Sequence, residues 1–212
     1  MKILYQGSPG AYSHLAALEV YPDAEIIPCK TFDECFDRAQ QDDKLKIIIP
    51  ESNKTTGNIG IEYLIFKYRL NIYAEHFHKI EHNLLGLSGA KISNIKNVLS
   101  HAQGLSQCSN FIKKNNLNEN IRADTAGSAE LIAQNRIISD AAIASKLSAK
   151  IYKLDVLASN IENEKGNTTR FLIMGKSVLQ PDLEKKKYIT SFLFKLKSKP
   201  AALYQSLGGF AI

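Results

Sequence analysis

The fold of this chain is organised around Gly166-Asn167-Thr168-Thr169-Arg170-Phe171, which runs directly into the apolar Leu172-Ile173-Met174. Neighbouring β-branched threonines followed by apolar residues predict a strand that enters a buried sheet. Only the beginning of that strand is then expected to face a cleft. A threonine hydroxyl donates one hydrogen bond and an arginine guanidinium matches a carboxylate, so this end suits an anionic substrate that loses an oxygen. For the motif taken alone, an ordinary strand start with a solvated arginine is the alternative.

The composition is that of a soluble globular protein. The 212 residues include 44% hydrophobic and 23% charged residues, enough for one large domain or two small ones. The formal net charge is +6, but the lysines alternate with acidic residues and no aromatic RNA-binding signature accompanies them. The excess charge therefore predicts attraction for small anions and no nucleic-acid partner.

The cysteines and the apolar runs indicate where the protein works. Cys29, Cys35 and Cys108 are odd in number and form no Cys-x-x-Cys pair, and no secretory signal accompanies them. This pattern predicts a reducing cytoplasm and no disulfide framework. No apolar stretch approaches the ~20 residues needed to cross a bilayer, so we expect no membrane partner.

Three strand–loop–helix units begin the chain. A strand at 3–5 ends at the turn Gly7-Ser8-Pro9-Gly10 before a helix at 13–20. This stretch is either a plain turn or a site where backbone N–H groups at the helix start bind an anion. A strand at 25–27 precedes a helix that opens with the capping-box pattern Thr31-Phe32-Asp33-Glu34. A strand at 45–49, a polar loop at 50–57 and a helix at 59–66 follow. Such units predict a mostly parallel sheet with ligands at its carboxyl ends.

A second lobe repeats the unit. Alternating strands at 72–78 and 82–87 lead into it, and its predicted strands lie at 98–99, 121–123 and 141–144. Each strand precedes a predicted helix: the first helix ends at about residue 114, the second ends at residue 135, and the third spans 145–152. The loops at 100–103 and 124–128 place small hydroxyl side chains at the starts of the first two helices. Strands at 156–161 and 168–174 can return the chain to the first lobe. The predicted fold class is α/β: two similar α/β lobes around a cleft, resembling a periplasmic binding protein, with lobe one at about 1–75 plus 160–176 and lobe two at about 76–159.

Three histidines raise the question of a metal. His76, His78 and His82 share strand parity and can lie on one face. They lack the fixed spacing of a known ligand set, and solvated strand histidines are common. We therefore predict no metal site.

The C-terminal segment begins a new unit. Residues 177–187 are polar and predict a linker, a strand is expected at 188–196, and a helix at 200–207. One strand and one helix cannot bury a core, and they leave an open strand edge. The edge predicts either pairing with another subunit, and therefore a homo-oligomer, or a mobile, aggregation-prone tail.

Taken in order, four motifs resemble those of the prephenate dehydratases over residues 1–176: the Gly-Ser-Pro-Gly turn, the Ser-His-x-Gln loop, the Asp-Thr-Ala-Gly loop and the Thr-Thr-Arg-Phe stretch. Residues 188–212 resemble the opening of the ACT regulatory domain, an α+β unit. The resemblance implies a lyase that converts prephenate, a small-molecule partner, to phenylpyruvate in phenylalanine biosynthesis. It implies neither a metal nor an organic cofactor.

The resemblance also implies site residues. The family's catalytic threonine, in its Thr-Arg-Phe motif, falls on Thr169, followed by Arg170 and Phe171. Arg170 either holds a substrate carboxylate or braces the cleft. The family's Ser-His-Pro-Gln-x-Leu-x-Gln-Cys run matches residues 100–108 and implies that Ser100 and Gln107 bind substrate.

Two further candidates complete the predicted site. Asn53 matches the asparagine of the family's Pro-Ile-Glu-Asn-Ser loop, although here its neighbours are Ser52 and Lys54. Thr125 is a hydroxyl at a predicted helix start, where it either binds the substrate or caps the helix.

Two departures from the family pattern bear on function. The ACT-like segment has Ala201-Ala202-Leu203 where Gly-Ala-Leu is usual and ends before a Glu-Ser-Arg-Pro element, so we do not expect phenylalanine to act as an effector. The altered loop at 50–54 and the partial ACT-like unit leave an inactive, shortened dehydratase as one alternative. A small-anion-binding protein without catalysis is another, because a cleft lined by hydroxyls and backbone amides also suits binding alone.

Overall fold

The structure is a computed structural model, and it describes residues 1–178, 180, 190 and 194–209. The chain divides into two compact units, Met1–Leu179 and Gln180–Ile212. The larger unit contains two separate sheets, each with its own helices and core. The predicted α/β class with two lobes is therefore confirmed.

The first lobe is built on a mixed sheet with the strand order β2-β1-β3-β11-β5, and β4 pairs with β3. Its strands are β1 Lys2–Gln6, β2 Glu25–Cys29, β3 Leu45–Asn53, β4 Gly57–Asn58, β5 Asn71–Lys79 and β11 Thr168–Gly175. Its helices are α1 Tyr12–Val20, α2 Phe32–Gln41 and α3 Glu62–Tyr68. β1 runs parallel to β2 and β3, whereas β11 is antiparallel to both β3 and β5.

The second lobe has a five-stranded sheet with the order β10-β6-β9-β7-β8. Its strands are β6 Asn83–Gly86, β7 Asn97–Ser100, β8 Asn118–Ile121, β9 Asp140–Ala144 and β10 Asp155–Ala158. A short 3₁₀ turn at Ile92–Asn94 and four helices accompany them: α4 Ala102–Gln107, α5 Ser109–Lys114, α6 Thr125–Asn135 and α7 Lys146–Tyr152. β7 is parallel to β8 and β9, while β6 is antiparallel to β9 and β10.

The apolar run that follows Arg170 explains why β11 lies inside the first sheet. Phe171 and Ile173 pack with α1 residues on one face, and Leu172 and Met174 pack with the α2 and α3 side on the other. All four side chains are buried, because a strand covered by helices on both faces needs consecutive apolar residues. The predicted strand is thus confirmed, with its polar start at the edge of the core.

The predicted polar loop at 50–57 is wrong. β3 continues to Asn53 and turns into β4, with Ser52 paired to Asn58. The antiparallel partner β11 supplies hydrogen bonds to this extension, and the strand prediction could not include a pairing from a distant part of the chain. The polar residues at 51–53 are therefore fixed in a strand.

Several element predictions also need correction. The first sheet is mixed rather than mostly parallel, because β11 and β5 join it antiparallel. β5 lies in this sheet along its whole length, so residues 76–79 belong with the first lobe. β8 ends at Ile121 rather than running to residue 123, and the predicted helix to 114 is divided into α4 and α5. β10 stays in the second sheet, and only β11 returns to the first.

Buried hydroxyls connect the two lobes behind the cleft. Ser145 and Ser148 donate to the carbonyl oxygen of Gly10 at 2.6 and 3.1 Å. Gly10 has φ +96°, which glycine adopts without strain. The glycine turn predicted as an anion site is therefore also the point where the lobes meet.

The smaller unit contains helix α8, Ala202–Gly208, close to the helix predicted at 200–207. Most of the predicted linker at 177–187 and of the predicted strand at 188–196 lies outside the described residues, and the ACT-like resemblance remains a prediction. None of the described helices is both long enough and apolar enough to span a membrane.

Candidate active site

A cavity of about 730 Å³ lies between the two lobes. It is reached by the ends of β1 and β3 and by the residues that follow β7 and β8. Of the seven predicted site residues, five line it: Asn53, Gln107, Thr125, Thr169 and Phe171. Ser100 and Arg170 lie outside the lining.

The centre of the cavity wall is the pair formed by Thr169 and Asn53. These residues face each other across β11 and β3, and Asn53 Nδ2 donates to Thr169 Oγ1 at 2.8 Å. Asn53 Oδ1 accepts from the backbone N–H groups of Thr55 and Thr56 at 2.9 and 3.2 Å. Because the β3–β4 turn occupies the oxygen of the amide, its nitrogen is the atom that meets Thr169.

This orientation decides what the Thr169 hydroxyl can do. Its oxygen already accepts a hydrogen bond, and its own proton has no acceptor among the described residues. A hydroxyl retains its donor when its acceptor sites are used. Thr169 is therefore held as a hydrogen-bond donor at the cavity, although only 6% of it is exposed.

Replacing Asn53 with aspartate tests this donor arrangement. The new carboxylate can still accept from Thr55 and Thr56 and so preserve the turn, but it cannot donate to Thr169. The carboxylate is expected to accept a hydrogen bond from the Thr169 hydroxyl, so that the hydroxyl no longer donates to the substrate. This change should lower kcat by about tenfold or more, with a smaller change in KM. Steady-state kinetics measure both constants, and an unchanged kcat in Asn53→Asp would contradict the arrangement.

A second polar group lies around Gln107. Gln107 Oε1 accepts from His82 Nε2 at 2.8 Å and from Asn167 Nδ2 at 3.2 Å. Burial lowers the pKa of His82, so its ring is neutral at pH 7. Because Gln107 Oε1 can only accept, Nε2 carries the ring proton. Nδ1 lies 2.9 Å from the Tyr12 hydroxyl, which donates to the carbonyl oxygen of Glu81. The contacts with His82 and Asn167 both use the oxygen of the Gln107 amide, so its nitrogen is left as a hydrogen-bond donor.

Asn167 contributes a buried, unpaired amide oxygen beside the cavity. The residue belongs to the lining, it is 6% exposed, and its Oδ1 is buried without a hydrogen-bond partner among the described residues. An unpaired buried amide oxygen costs about 1–3 kcal/mol.

Lys30 and two helix N-termini contribute electropositive character to the cavity. Ala11, Tyr12 and Ser13, at the start of α1, line it, and α1 has no side-chain cap. At the start of α6, Asp124 accepts from the Gly127 N–H and Thr125 is the first helical residue. The predicted capping role therefore belongs to Asp124, which leaves the Thr125 side chain at the cavity. Uncapped N–H groups and the helix dipole favour an anionic ligand.

Arg170 lies outside the cavity lining and pairs with two carboxylates. Its Nε donates to Glu75 at 2.8 Å, and its NH1 group donates to Glu51 at 3.3 Å. Ser52 is its cross-strand neighbour and donates to the same Glu51 oxygen at 2.6 Å. Where the family loop has glutamate, this chain has Ser52, and Glu51 supplies the carboxylate instead. Both predicted roles of Arg170, carboxylate binding and bracing, stay predictions, and its two ion pairs lie outside the cavity lining.

Ser100 lies inside the second lobe. It is fully buried, and its hydroxyl donates to the carbonyl oxygen of Ile143 at 2.7 Å. A Cβ atom added at Gly104 would lie 2.8 Å from that hydroxyl, so Ser100 sets how closely α4 approaches the sheet. Its position supports the cavity wall from behind.

The sequence reasoning missed Tyr12, His82 and Asp124 as cavity residues. The sequence could have indicated Asp124, because an aspartate directly before a helical pattern is a typical N-cap. Strand parity places His82 only among the possible metal ligands and does not predict its contact with Gln107. Tyr12 had no local signal, because its contact with His82 joins residues 70 positions apart.

The fold and the site together define a two-lobed α/β protein whose cleft presents a hydroxyl donor and helix N-termini to an anionic ligand. The model of the prephenate dehydratase family matches residues 3–178. The chain therefore belongs to the prephenate dehydratase family, whose members are lyases.

Comparison with individual proteins supports the same family. The chain is 38% identical over its whole length to arogenate dehydratase/prephenate dehydratase 1 of Arabidopsis thaliana, and 38% identical to arogenate dehydratase 2 of Petunia hybrida. It covers 54% of each relative, so it spans about half their length. The structure of prephenate dehydratase from Arthrobacter aurescens in complex with L-phenylalanine has the same fold, with a TM-score of 0.86 over 100% of this chain and 72% of that one, at 22% identity.

Proposed function

We propose that this chain catalyses the decarboxylative dehydration of prephenate to phenylpyruvate, a step of phenylalanine biosynthesis. The observation that carries the proposal is the Thr169 hydroxyl, which Asn53 holds as a donor at the cavity wall, 2.8 Å away. Membership of the prephenate dehydratase family supports it.

The reaction requires a hydrogen-bond donor to the oxygen of the ring hydroxyl that departs. As the bond between the ring and its carboxylate breaks, its electron pair enters the ring and the bond to the ring hydroxyl breaks. The departing oxygen takes a proton and leaves as water, carbon dioxide leaves, and the ring becomes aromatic. Threonine is a weak acid, so Thr169 acts mainly by a hydrogen bond that strengthens as negative charge develops on that oxygen.

The rest of the cavity binds and orients the substrate. Prephenate carries two carboxylates, and Lys30 and the uncapped N-terminus of α1 line the cavity that would hold them. The Gln107 amide, fixed through His82 and Asn167, adds a donor. Phe171 offers an apolar surface to the ring that becomes aromatic. Orientation of this kind contributes to the rate because the reacting groups need not find each other in solution.

Arogenate is the second candidate substrate. It differs from prephenate in carrying an amino group where prephenate has a ketone, and relatives at 38% identity are named arogenate dehydratases. Asp124 lines the cavity with a carboxylate that can accept from an ammonium group. The same Thr169 donor would serve both substrates, since the reacting ring is identical.

Product formation from the two substrates ranks these candidates. The purified chain is incubated with prephenate and, separately, with arogenate, and phenylpyruvate and phenylalanine are measured. We expect phenylpyruvate formation with the higher kcat/KM, because arogenate adds a positive ammonium group to the same two carboxylates, and Lys30 and the uncapped N-terminus of α1 disfavour a cation. The reverse ranking would assign arogenate as the substrate. If neither product forms from folded protein that binds prephenate, the chain is a small-anion binder or an inactive dehydratase.

We further propose that the chain acts in the cytoplasm as a homo-oligomer. Its three cysteines are free and buried, as is usual in a reducing compartment. On α3, Tyr63 and Phe66 are 62% and 55% exposed and offer an apolar surface to another subunit. Light scattering coupled to size-exclusion chromatography measures the assembly, and a mass of about 24 kDa, that of one chain of 23.6 kDa, would contradict an oligomer.

A further inference from the structure

Two histidines and a glutamate converge at the edge of the first sheet, outside the cavity lining. His76 Nε2 lies 2.7 Å from Glu19 Oε2, and His78 Nδ1 lies 2.9 Å from the same oxygen. The three ligand atoms lie within 4.8 Å of one another. We propose that Glu19, His76 and His78 form a binding site for one divalent transition-metal ion, such as Zn²⁺.

The backbone brings the two imidazoles together. His76 and His78 are two residues apart on β5, so the strand places them on one face. β11 fixes both positions through the pairs His76–Phe171 and His78–Thr169. α1 packs on this face and presents Glu19 near its end. Ligands held by a paired strand and a packed helix are preorganised for an ion.

The donor set matches zinc. Two imidazole nitrogens and one carboxylate oxygen are a known zinc combination, with water in the fourth position. A glutamate carboxylate is ionised at neutral pH, so Glu19 offers a charged oxygen to a cation. The His78 side chain is 10% exposed and that of Glu19 is 47% exposed, so the site opens to solvent on one side for the water.

The present spacing between Glu19 and each histidine requires only a small adjustment, and the two histidine nitrogens lie within 4.8 Å of each other. Ligand atoms about 2.0–2.1 Å from a tetrahedral ion lie about 3.3 Å apart. Here they are 2.7 and 2.9 Å apart where hydrogen bonds join them, so an ion that replaces the two N–H protons needs the carboxylate to retreat by roughly half an ångström. Glu19 is exposed enough for its side chain to make that shift.

An ion at this position would stabilise the packing of α1 on β5 next to the cavity. The His78 ring lies 6.1 Å from the Tyr12 ring, and Tyr12 lines the cavity at the start of α1. The ion would tie α1 to β5 behind that residue. His82 is not part of this group, because it lies against Gln107, and Glu19 is the third ligand. The proposal therefore departs from the prediction of no metal site.

Metal titration of the chain without an affinity tag tests the site. Zn²⁺ binding is followed by isothermal calorimetry, and Co²⁺ is added separately so that its visible bands report the coordination geometry. The variants are His76→Ala and Glu19→Gln, and His101→Ala is the matched control that removes a histidine elsewhere. Glu19→Gln retains an oxygen that can accept from both histidines, which keeps the local fold while removing the charge.

We expect one equivalent of Zn²⁺ per chain and the Co²⁺ bands of a tetrahedral site. His76→Ala and Glu19→Gln should each lose more than about tenfold in affinity, whereas His101→Ala should bind as the wild type does. Circular dichroism without metal checks that the variants are folded. The proposal is overturned if the folded wild type binds neither ion, or if His76→Ala and Glu19→Gln bind as tightly as the wild type.

Discussion

Replacing Thr169 with alanine is expected to lower kcat for phenylpyruvate formation by about 10²–10⁴-fold, the usual contribution of a positioned proton donor. The variant loses the hydroxyl that Asn53 orients and leaves the departing oxygen without its donor. Substrate binding should largely survive, because the helix N-termini of α1 and α6 and the Gln107 amide remain. Initial-rate kinetics give kcat, and calorimetry with prephenate gives the affinity.

The neighbouring threonine is the matched control. The Thr168 hydroxyl faces the carbonyl oxygen of Gly166 at 3.4 Å and is not part of the cavity lining. Thr168→Ala removes the same group one position away and should keep kcat near the wild-type value. Thr169→Ser retains a hydroxyl and should keep much more activity than Thr169→Ala. Equal losses in Thr168→Ala and Thr169→Ala would contradict a specific role for Thr169.

Replacing Gly10 with alanine should have the largest effect on stability. A Cβ atom at this position would lie 2.5 Å from Ser148 Oγ and 2.8 Å from Ser148 Cα. The residue also has φ +96°, where a side chain is strained. Strain and overpacking together should lower the free energy of unfolding by about 2–5 kcal/mol, measured by denaturant titration.

Gly89 provides the control for this substitution. Its φ is +81°, but no atom lies within 4 Å of a Cβ added there. Gly89→Ala therefore carries the backbone strain without the contact and should cost about 1 kcal/mol. If Gly10→Ala and Gly89→Ala are equally stable, the close junction between Gly10 and α7 does not limit stability.

Sequence alone predicted those parts of the fold that local patterns determine. The run from Phe171 to Met174 is apolar at every position, which indicated a strand buried on both faces. The helix starts at Thr31 and Ser145 follow from side chains that accept from backbone N–H groups three residues later. Thr169 and Asn53 were found through the family resemblance, and each lies at the cavity.

The rest depends on pairings between distant residues. The loop prediction at 50–57 failed because β11, more than a hundred residues later, extends β3. Strand parity grouped His82 with His76 and His78, but the chain leaves the first sheet after Lys79, and His82 packs against Gln107. The carboxylates that meet Arg170, on β3 and β5, come together only when β11 lies between those strands.

The most direct test of the proposed catalysis measures phenylpyruvate and carbon dioxide released from prephenate by the purified chain, beside Thr169→Ala at the same saturating concentration of substrate. The account predicts equal amounts of the two products from the wild type and little of either from the variant. Thr169→Ala that turns over at the wild-type rate, or wild-type protein that binds prephenate and releases neither product, would contradict it.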